Sequence, residues 1–82
     1  RTIYSTMEKH MIDLISSNLR IPSAQINLYS DLDDDLHLDT IDKVLLIADL
    51  EAQFGVFLSP EEAASIQTVQ DVCHYFIQRC AA

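Results

Sequence analysis

The sequence contains few of the residues that interrupt helices. Gly55 is the one glycine, and Pro22 and Pro60 are the two prolines among 82 residues. A sustained alternation of apolar and polar residues, which is typical of half-buried strands, is also missing. Because turn-forming residues are scarce and no period-two pattern is present, the chain is predicted to be all-helical. At this length it is expected to form one domain, residues 1–82.

Positive charge and long apolar runs are also scarce. Thirteen acidic residues outnumber five basic ones, so the formal net charge is −8. Nucleic acids and anionic membrane surfaces select basic proteins, which argues against both as partners. No run approaches the roughly 20 apolar residues of a membrane span, so membrane insertion is not expected either. An acidic surface attracts a basic one, and we therefore expect a basic protein partner.

Cysteine is limited to two residues, and their spacing argues against a disulfide. Cys73 and Cys80 fall in one predicted helix, about 10 Å apart along its axis, which is too far for a bond between their sulfur atoms. The first four residues show no apolar signal-peptide core. The sequence therefore predicts reduced, partly buried thiols in a cytoplasmic protein.

Independent catalysis is not expected. The three histidines form no triad with the cysteines at the sequence level, and a phosphate-cradling glycine loop is missing.

Three segments have apolar residues on one face of a helix: residues 4–19, residues 40–54 and a helix that follows Thr68. A short helix between the last two is predicted to start at Ser59-Pro60 because these residues, followed by two glutamates, are typical of a helix start. The expected core positions are Met7, Met11, Leu14, Ile15, Leu19, Leu46, Ile47, Leu50, Phe54, Val69, Val72, Tyr75 and Phe76.

Residues that are typical of helix ends mark where the predicted helices begin and end. Asp39 with Asp42 resembles a capping box, Gly55 suits a helix end, and Ser59 with Pro60 suits a helix start. Residues 20–38 between the first two helices form a loop whose length suggests a function. Its apolar residues are expected to tether it to the core: Ile21, Ile26, Leu28, Tyr29, Leu32, Leu36 and Leu38.

Six aspartates lie between residues 31 and 42. Their spacing approaches that of an EF-hand calcium loop, but Leu36 occupies the position where the loop needs glycine, and Asp42 is shorter than the glutamate that closes it. No specific metal site is therefore predicted, although weak divalent-ion binding would relieve carboxylate repulsion. Composition alone is equally consistent with a solvated acidic loop that leads into a capped helix.

The same stretch resembles the attachment motif of the acyl carrier protein family. The motif in this chain is Asp34-Asp35-Leu36-His37-Leu38-Asp39-Thr40-Ile41-Asp42, and similarity continues through Phe54-Gly55 and Ile66-Gln67-Thr68-Val69-Gln70-Asp71. The resemblance covers about residues 7–78 without an apparent insertion. It implies an all-α, acyl carrier protein-like four-helix bundle with three longer helices, one short helix and a long first loop.

The resemblance also implies a function and a cofactor. Family members receive 4′-phosphopantetheine from coenzyme A through a transferase, carry an acyl group as a thioester, and shelter it between their helices. This chain is then expected to carry an acyl intermediate for fatty acid, lipid or polyketide-type biosynthesis, as a monomer without its own catalysis. The implied partners are a phosphopantetheinyl transferase and acyl-processing enzymes with basic docking patches.

Site residues follow from the match to the motif. Thr40 occupies the attachment position, where the family has serine, and Asp39 and Ile41 flank it. The candidate partner-binding residues on the second helix are Asp42, Leu45, Ala48 and Asp49. Threonine is β-branched and stiff. Three interpretations of Thr40 therefore stay open: a slow attachment site, a domain that has lost carrier function, or a serine that was replaced deliberately. The alternative is a noncarrier interaction module that keeps the fold and binds a basic protein.

Two further departures from the family pattern bear on the site. His37 replaces the usual glycine. It can form an ordinary turn but would stiffen the approach to Thr40, and as a lone surface histidine it is expected to have no special role. Lys43 and Leu45 dilute the acidic character of the second helix. Leu45 then either packs against a neighbouring loop or contributes to a more apolar docking face.

Overall fold

A computed structural model describes residues 2–81, with side chains described for residues 6–79. The helices are α1 (Thr2–Leu19), α2 (Thr40–Phe54), α3 (Pro60–Ala64) and α4 (Val69–Ala81). A short 3-10 turn, Ser23–Gln25, lies in the first loop. The predicted all-α fold, with three longer helices, one short helix and a long first loop, is confirmed. Within the described residues, no helix is both long enough and apolar enough to span a bilayer.

Local capping sets the limits of the middle helices. Ser59 and Glu62 form a reciprocal capping box at the start of α3, where Pro60 is the first helical residue. Gly55 ends α2 with a φ of 67°, and its N–H donates to the Glu51 carbonyl at 2.9 Å. A left-handed conformation of this kind is easily adopted only by glycine. The predicted starts of α2 and α3 and the end of α2 are confirmed.

One apolar core joins α1, the first loop, α2 and α4. Its buried side chains are Met11, Ile15, Ile26, Leu32, Leu36, Leu38, Leu46, Ile47, Leu50, Ile66, Val69, Val72, Cys73, Phe76 and Ile77. Phe54 packs against this core, with its ring centroid 6.0 Å from that of Phe76. Cys73 is buried, whereas the side chain of Cys80 lies outside the described residues. Helical periodicity and the expected loop tethers together identified most of this core. Ile66 and Ile77 were missed, and Cys73 is more deeply buried than the predicted partly buried thiol.

The first loop is held against the start of α4 by backbone hydrogen bonds. The Leu32 N–H donates to the Gln67 carbonyl at 2.9 Å, and the Val69 N–H donates to the Ser30 carbonyl at 3.0 Å. Four of the expected tethers, Ile26, Leu32, Leu36 and Leu38, are buried. The expectation for Tyr29 is wrong, because its side chain is 79% exposed. Leu28 and Ser30 on either side turn inward, which leaves the ring of Tyr29 facing solvent.

Truncation of the α2 core face should destabilise the protein. Replacing the fully buried Leu50 with alanine is expected to lower the free energy of unfolding by about 2–5 kcal/mol, since it removes apolar contacts and leaves a cavity. Urea denaturation followed by circular dichroism measures this change. The control is Leu45→Ala on the exposed side of the same helix, expected within about 0.5 kcal/mol of wild type. Equal effects of the two variants would contradict the assignment of the core face.

Burial of Cys73 should make stability fall at alkaline pH. Desolvation, with a smaller contribution from the Glu8 carboxylate, raises the pKa of the Cys73 thiol from 9.0 to about 12. The unfolded chain therefore loses this proton at lower pH than the native state does. The stabilisation is fully present below about pH 9 and is lost as the pH rises towards 12.

The measurement uses a Cys80→Ser variant, in which Cys73 is the single thiol. Urea denaturation between pH 8 and 11 should show a decline that becomes much smaller when Cys73→Ala is added. A thiol reagent at pH 8 should modify the native protein far more slowly than the urea-unfolded chain. Equal reaction rates would show that Cys73 is accessible.

Candidate functional site

The start of α2 is a capping box formed by two aspartates. The Asp42 backbone N–H donates to Asp39 Oδ1 at 2.8 Å, and the Asp39 backbone N–H donates to Asp42 Oδ2 at 3.3 Å. Asp39 is the N-cap, and Thr40 is the exposed first residue of the helix. Since the two carboxylates complete the cap, the Thr40 hydroxyl is not needed to hold the helix end. The arrangement leaves a hydroxyl at a rigidly placed, solvent-facing helix start.

The chain reaches Thr40 through a segment that is fixed on both sides of His37. Leu36 and Leu38 are buried, and the Leu38 N–H donates to the Leu32 carbonyl at 2.9 Å. His37 between them is exposed and has a φ of 60°. His37 therefore adopts a left-handed conformation and not an ordinary turn, and it lies between two leucines that point into the core. That conformation suits glycine and costs other residues roughly 1–2 kcal/mol.

The acidic residues before His37 build a turn of their own. Asp31 Oδ1 accepts hydrogen bonds from the backbone N–H groups of Asp33 at 2.8 Å and Asp34 at 2.9 Å. Asp35 Oδ2 accepts from the Asp31 N–H at 2.7 Å. Across the described residues, no group of three or more His, Cys, Asp or Glu side chains is arranged to hold a metal ion. Asp31 and Asp35, like Asp39 and Asp42 of the capping box, therefore have a local structural role as acceptors of backbone hydrogen bonds.

A pocket of about 460 Å³ lies beside Thr40, between α2 and the α3 region. Its walls are mainly apolar, with Lys43 and Glu51 as the charged residues. The α2 wall also contains Thr40, Val44, Ile47 and Ala48, and the opposite wall contains Leu58, Pro60, Ala63, Ala64 and Ile66. The exposed Thr40 therefore lies at the edge of an apolar cavity.

Hydrogen bonds and an ion pair attach α3 and the segment before it to the larger helices. Arg79 on α4 donates to the Phe57 carbonyl at 2.8 Å and pairs with Glu62 on α3. Ser65 Oγ and the Tyr75 hydroxyl lie 2.9 Å apart. The hydrogen bond from the Ser59 N–H lowers the pKa of Glu62, and Arg79 lowers it further. Since α3 contributes no buried residue, these bonds help to hold one wall of the pocket.

The residues predicted to bind partners lie in three environments. Asp42 belongs to the capping box, and Leu45 and Ala48 lie on the exposed side of α2. Asp49 faces α1, where its carboxylate accepts from the Asn18 amide, and it also accepts from Gln53 Nε2 at 3.0 Å. Ile41, predicted to flank the attachment position, is 68% exposed. Leu45 is 62% exposed, so the packing alternative is wrong.

The resemblance led us to expect that an acyl group is sheltered between the helices, but sequence reasoning did not identify the residues that line the pocket. The one sequence signal for a pocket was the pair Ala63 and Ala64 in a short, capped helix, because small side chains leave space beside a helix. Glu51 also gave no signal, although its Oε2 accepts from the Leu58 N–H at 2.8 Å and ties α2 to the segment before α3. Both features depend on contacts between distant residues.

Comparison with known proteins connects this site to one family. Residues 9–76 match the family model described as a phosphopantetheine attachment site. The chain is 34% identical over 73 residues to the acyl carrier protein of Chlorobium phaeobacteroides, covering 89% of this chain and 94% of that protein. It is also similar to the structure of a Mycobacterium tuberculosis protein assigned as an acyl carrier protein. That match has a TM-score of 0.78 and 32% identity, and it covers 89% of this chain and 96% of the other.

Proteins of this family are carriers of 4′-phosphopantetheine and not enzymes. The matched segment spans the capping box, Thr40, the pocket and most of α4. The chain belongs to the acyl carrier protein family.

Proposed function

We propose that this chain, as a single carrier domain over residues 1–82, carries an acyl intermediate on a 4′-phosphopantetheine arm attached to Thr40. The observation that carries the proposal is the exposed Thr40 hydroxyl at the first position of α2, beside an apolar pocket. We also propose that the chain acts in the cytoplasm, in fatty acid, lipid or polyketide-type biosynthesis. The carrier acts as a monomer.

The residues around Thr40 fit the attachment of such an arm. In this step Thr40 Oγ1 bonds to the phosphorus of coenzyme A that bears the pantetheine. The bond from that phosphorus to the adenosine bisphosphate portion breaks, and that portion leaves. The hydroxyl proton passes to a base of the transferase. Asp39 and Asp42 hold the helix start, and the buried Leu38 anchors the approach segment to the core. When bound, the arm supplies a thiol that holds the acyl group.

The pocket between α2 and α3 is the proposed shelter for the acyl chain. Its volume of about 460 Å³ falls within the roughly 300–1,000 Å³ of small-molecule sites. Each buried methylene contributes about 0.8 kcal/mol, so an apolar chain would favour the pocket over water. Val44 and Ile47 offer apolar contacts, while Ala48 and Ala63 leave room.

The net charge of −8 supports partners that approach with basic patches. These are the transferase that attaches the arm and the enzymes that process the acyl group. The candidate docking residues are Asp42, Leu45, Ala48 and Asp49. Of these, Asp42, Leu45 and Ala48 are exposed and Asp49 is partly buried.

The threonine at position 40 favours a second candidate, a noncarrier module that keeps the fold and binds a basic protein. Threonine has a secondary, β-branched hydroxyl, which crowds attack on phosphorus. Binding by such a module would weaken with salt and would survive Thr40→Ala.

Mass spectrometry of the intact chain tests attachment. After incubation with a broad-range phosphopantetheinyl transferase and coenzyme A, wild type should slowly gain one phosphopantetheine group. Thr40→Ser should gain it faster, by up to about 100-fold, because a less crowded hydroxyl reaches the phosphorus in better geometry. Thr40→Ala should gain nothing. If only the serine variant were modified, Thr40 would not be an acceptor and the noncarrier module would be favoured.

A further inference from the structure

Lys43 is the single basic residue in α2, and it lines the pocket together with Thr40. The two residues are three positions apart in the helix, so their Cβ atoms lie about 5–6 Å from each other on one face. The Lys43 ammonium pairs with the Asp33 carboxylate, 3.0 Å from its Oδ1. Because Asp33 belongs to the loop before α2, the side chain of Lys43 extends towards the start of the helix. Its ammonium is therefore held at the end of α2 that carries Thr40.

The Lys43 ammonium can bind a second anion. An ammonium has three N–H donors, and the contacts with Asp33 are to Oδ1 at 3.0 Å and Oδ2 at 3.2 Å. Two oxygen atoms do not occupy all three donors. The Lys43 side chain is 26% exposed and that of Asp33 49%, and ion pairs this open to water contribute little stability. A further anion can therefore share the ammonium with Asp33.

The charges around Thr40 create a need for such a cation. The positive end of the helix dipole favours an anion at the first helical position. However, the capping carboxylates of Asp39 and Asp42 lie on either side of Thr40, and like charges repel at short range. The arm would join the chain through a phosphodiester, which is negatively charged at neutral pH. Lys43 is placed to offset the repulsion between that group and the capping box.

The pocket also carries opposite charges at its two ends. Lys43 lies about 4.5 Å along the α2 axis from Thr40, whereas Glu51 lies about 16.5 Å from it. An anion is therefore favoured at the Thr40 end and disfavoured at the Glu51 end, with mainly apolar walls between them. This pattern suits a ligand that is anionic where it joins the chain and uncharged beyond that point.

We propose that Lys43 binds the phosphodiester of the prosthetic arm and so directs the arm from the start of α2 into the pocket. The inference rests on the proposed function, in which the arm is attached at Thr40. Asp33 is a positioning residue, because it keeps the ammonium at the helix start. The group recognised is the phosphodiester and not the acyl group, so the same contact forms whatever the arm carries.

Phosphorus NMR of the arm-loaded chain, with a free thiol and no acyl group, tests this contact. The chain is the Thr40→Ser variant, loaded by a broad-range transferase, so the sample does not depend on whether threonine accepts the arm. Adding Lys43→Gln should shift the phosphodiester resonance, because a neutral side chain replaces the ammonium, whereas Lys43→Arg should keep the resonance close to its original position. The shift caused by Lys43→Gln should shrink as salt rises from about 0.01 M to about 1 M, because the Debye length falls from about 30 Å to about 3 Å.

A second readout reports the path of the arm. Nuclear Overhauser effects between the arm and the methyl groups of Val44 and Ala48, which line the pocket, should weaken several-fold with Lys43→Gln. Undiminished effects would show that the arm reaches the pocket without Lys43 and would overturn the proposal.

The matched control is Lys9→Gln, which removes the same charge from the other lysine of the chain, an exposed residue of α1. It should leave the phosphorus resonance and the arm contacts unchanged. Urea denaturation checks that each variant folds, and lysine, arginine and glutamine are similar helix formers. A Lys43→Gln shift no larger than that of Lys9→Gln would overturn the proposal. An equal shift with Lys43→Arg would also overturn it, since the charge would then not be what matters.

The two proposals fail separately. If wild type gained no mass while the serine variant was modified, attachment to threonine would be refuted, and the loaded serine variant would still report the contact with Lys43. If the phosphorus resonance ignored Lys43, the contact would be refuted while attachment at position 40 would stand.

Discussion

The position where α2 begins is the constraint on which the site depends. Buried Leu36 and Leu38 fix the approach segment, and the Asp39–Asp42 capping box starts the helix one residue before Thr40. This places Thr40 at the first helical position, where its hydroxyl faces solvent and is not used as a cap. A shift of one residue would turn Thr40 by about 100° around the helix. The cost of this placement is the left-handed conformation at His37.

The pocket beside Thr40 depends on a different kind of interaction. Burial holds α1, α2 and α4 together, whereas α3 contributes no buried residue. Arg79 and Tyr75 tie α3 and its end, and the Glu51 carboxylate ties the segment before it. Surface pairs of this kind contribute little stability individually. A wall held mainly in this way would suit the proposed entry and release of an acyl chain.

The parts of the fold that local chemistry determines could be predicted from the sequence. The limits of α2 and the start of α3 followed from Asp39, Gly55 and Ser59, because capping involves residues close in the chain. The outward ring of Tyr29 and the left-handed His37 were missed, since neighbouring side chains buried by tertiary packing impose both. The pocket was missed for the same reason. Thr40 was identified by motif, and the exposure of Leu45 required the structure.

We propose that the Thr40 hydroxyl, held at the start of α2, bears the prosthetic arm in the living cell. The most direct measurement is the mass of the chain isolated from its own host, followed by fragmentation of the peptide that contains Thr40. The expected result is the mass of one added 4′-phosphopantetheine, free or acylated, located on Thr40. A chain that is entirely unmodified, or one that bears the arm on another residue, would contradict attachment at Thr40.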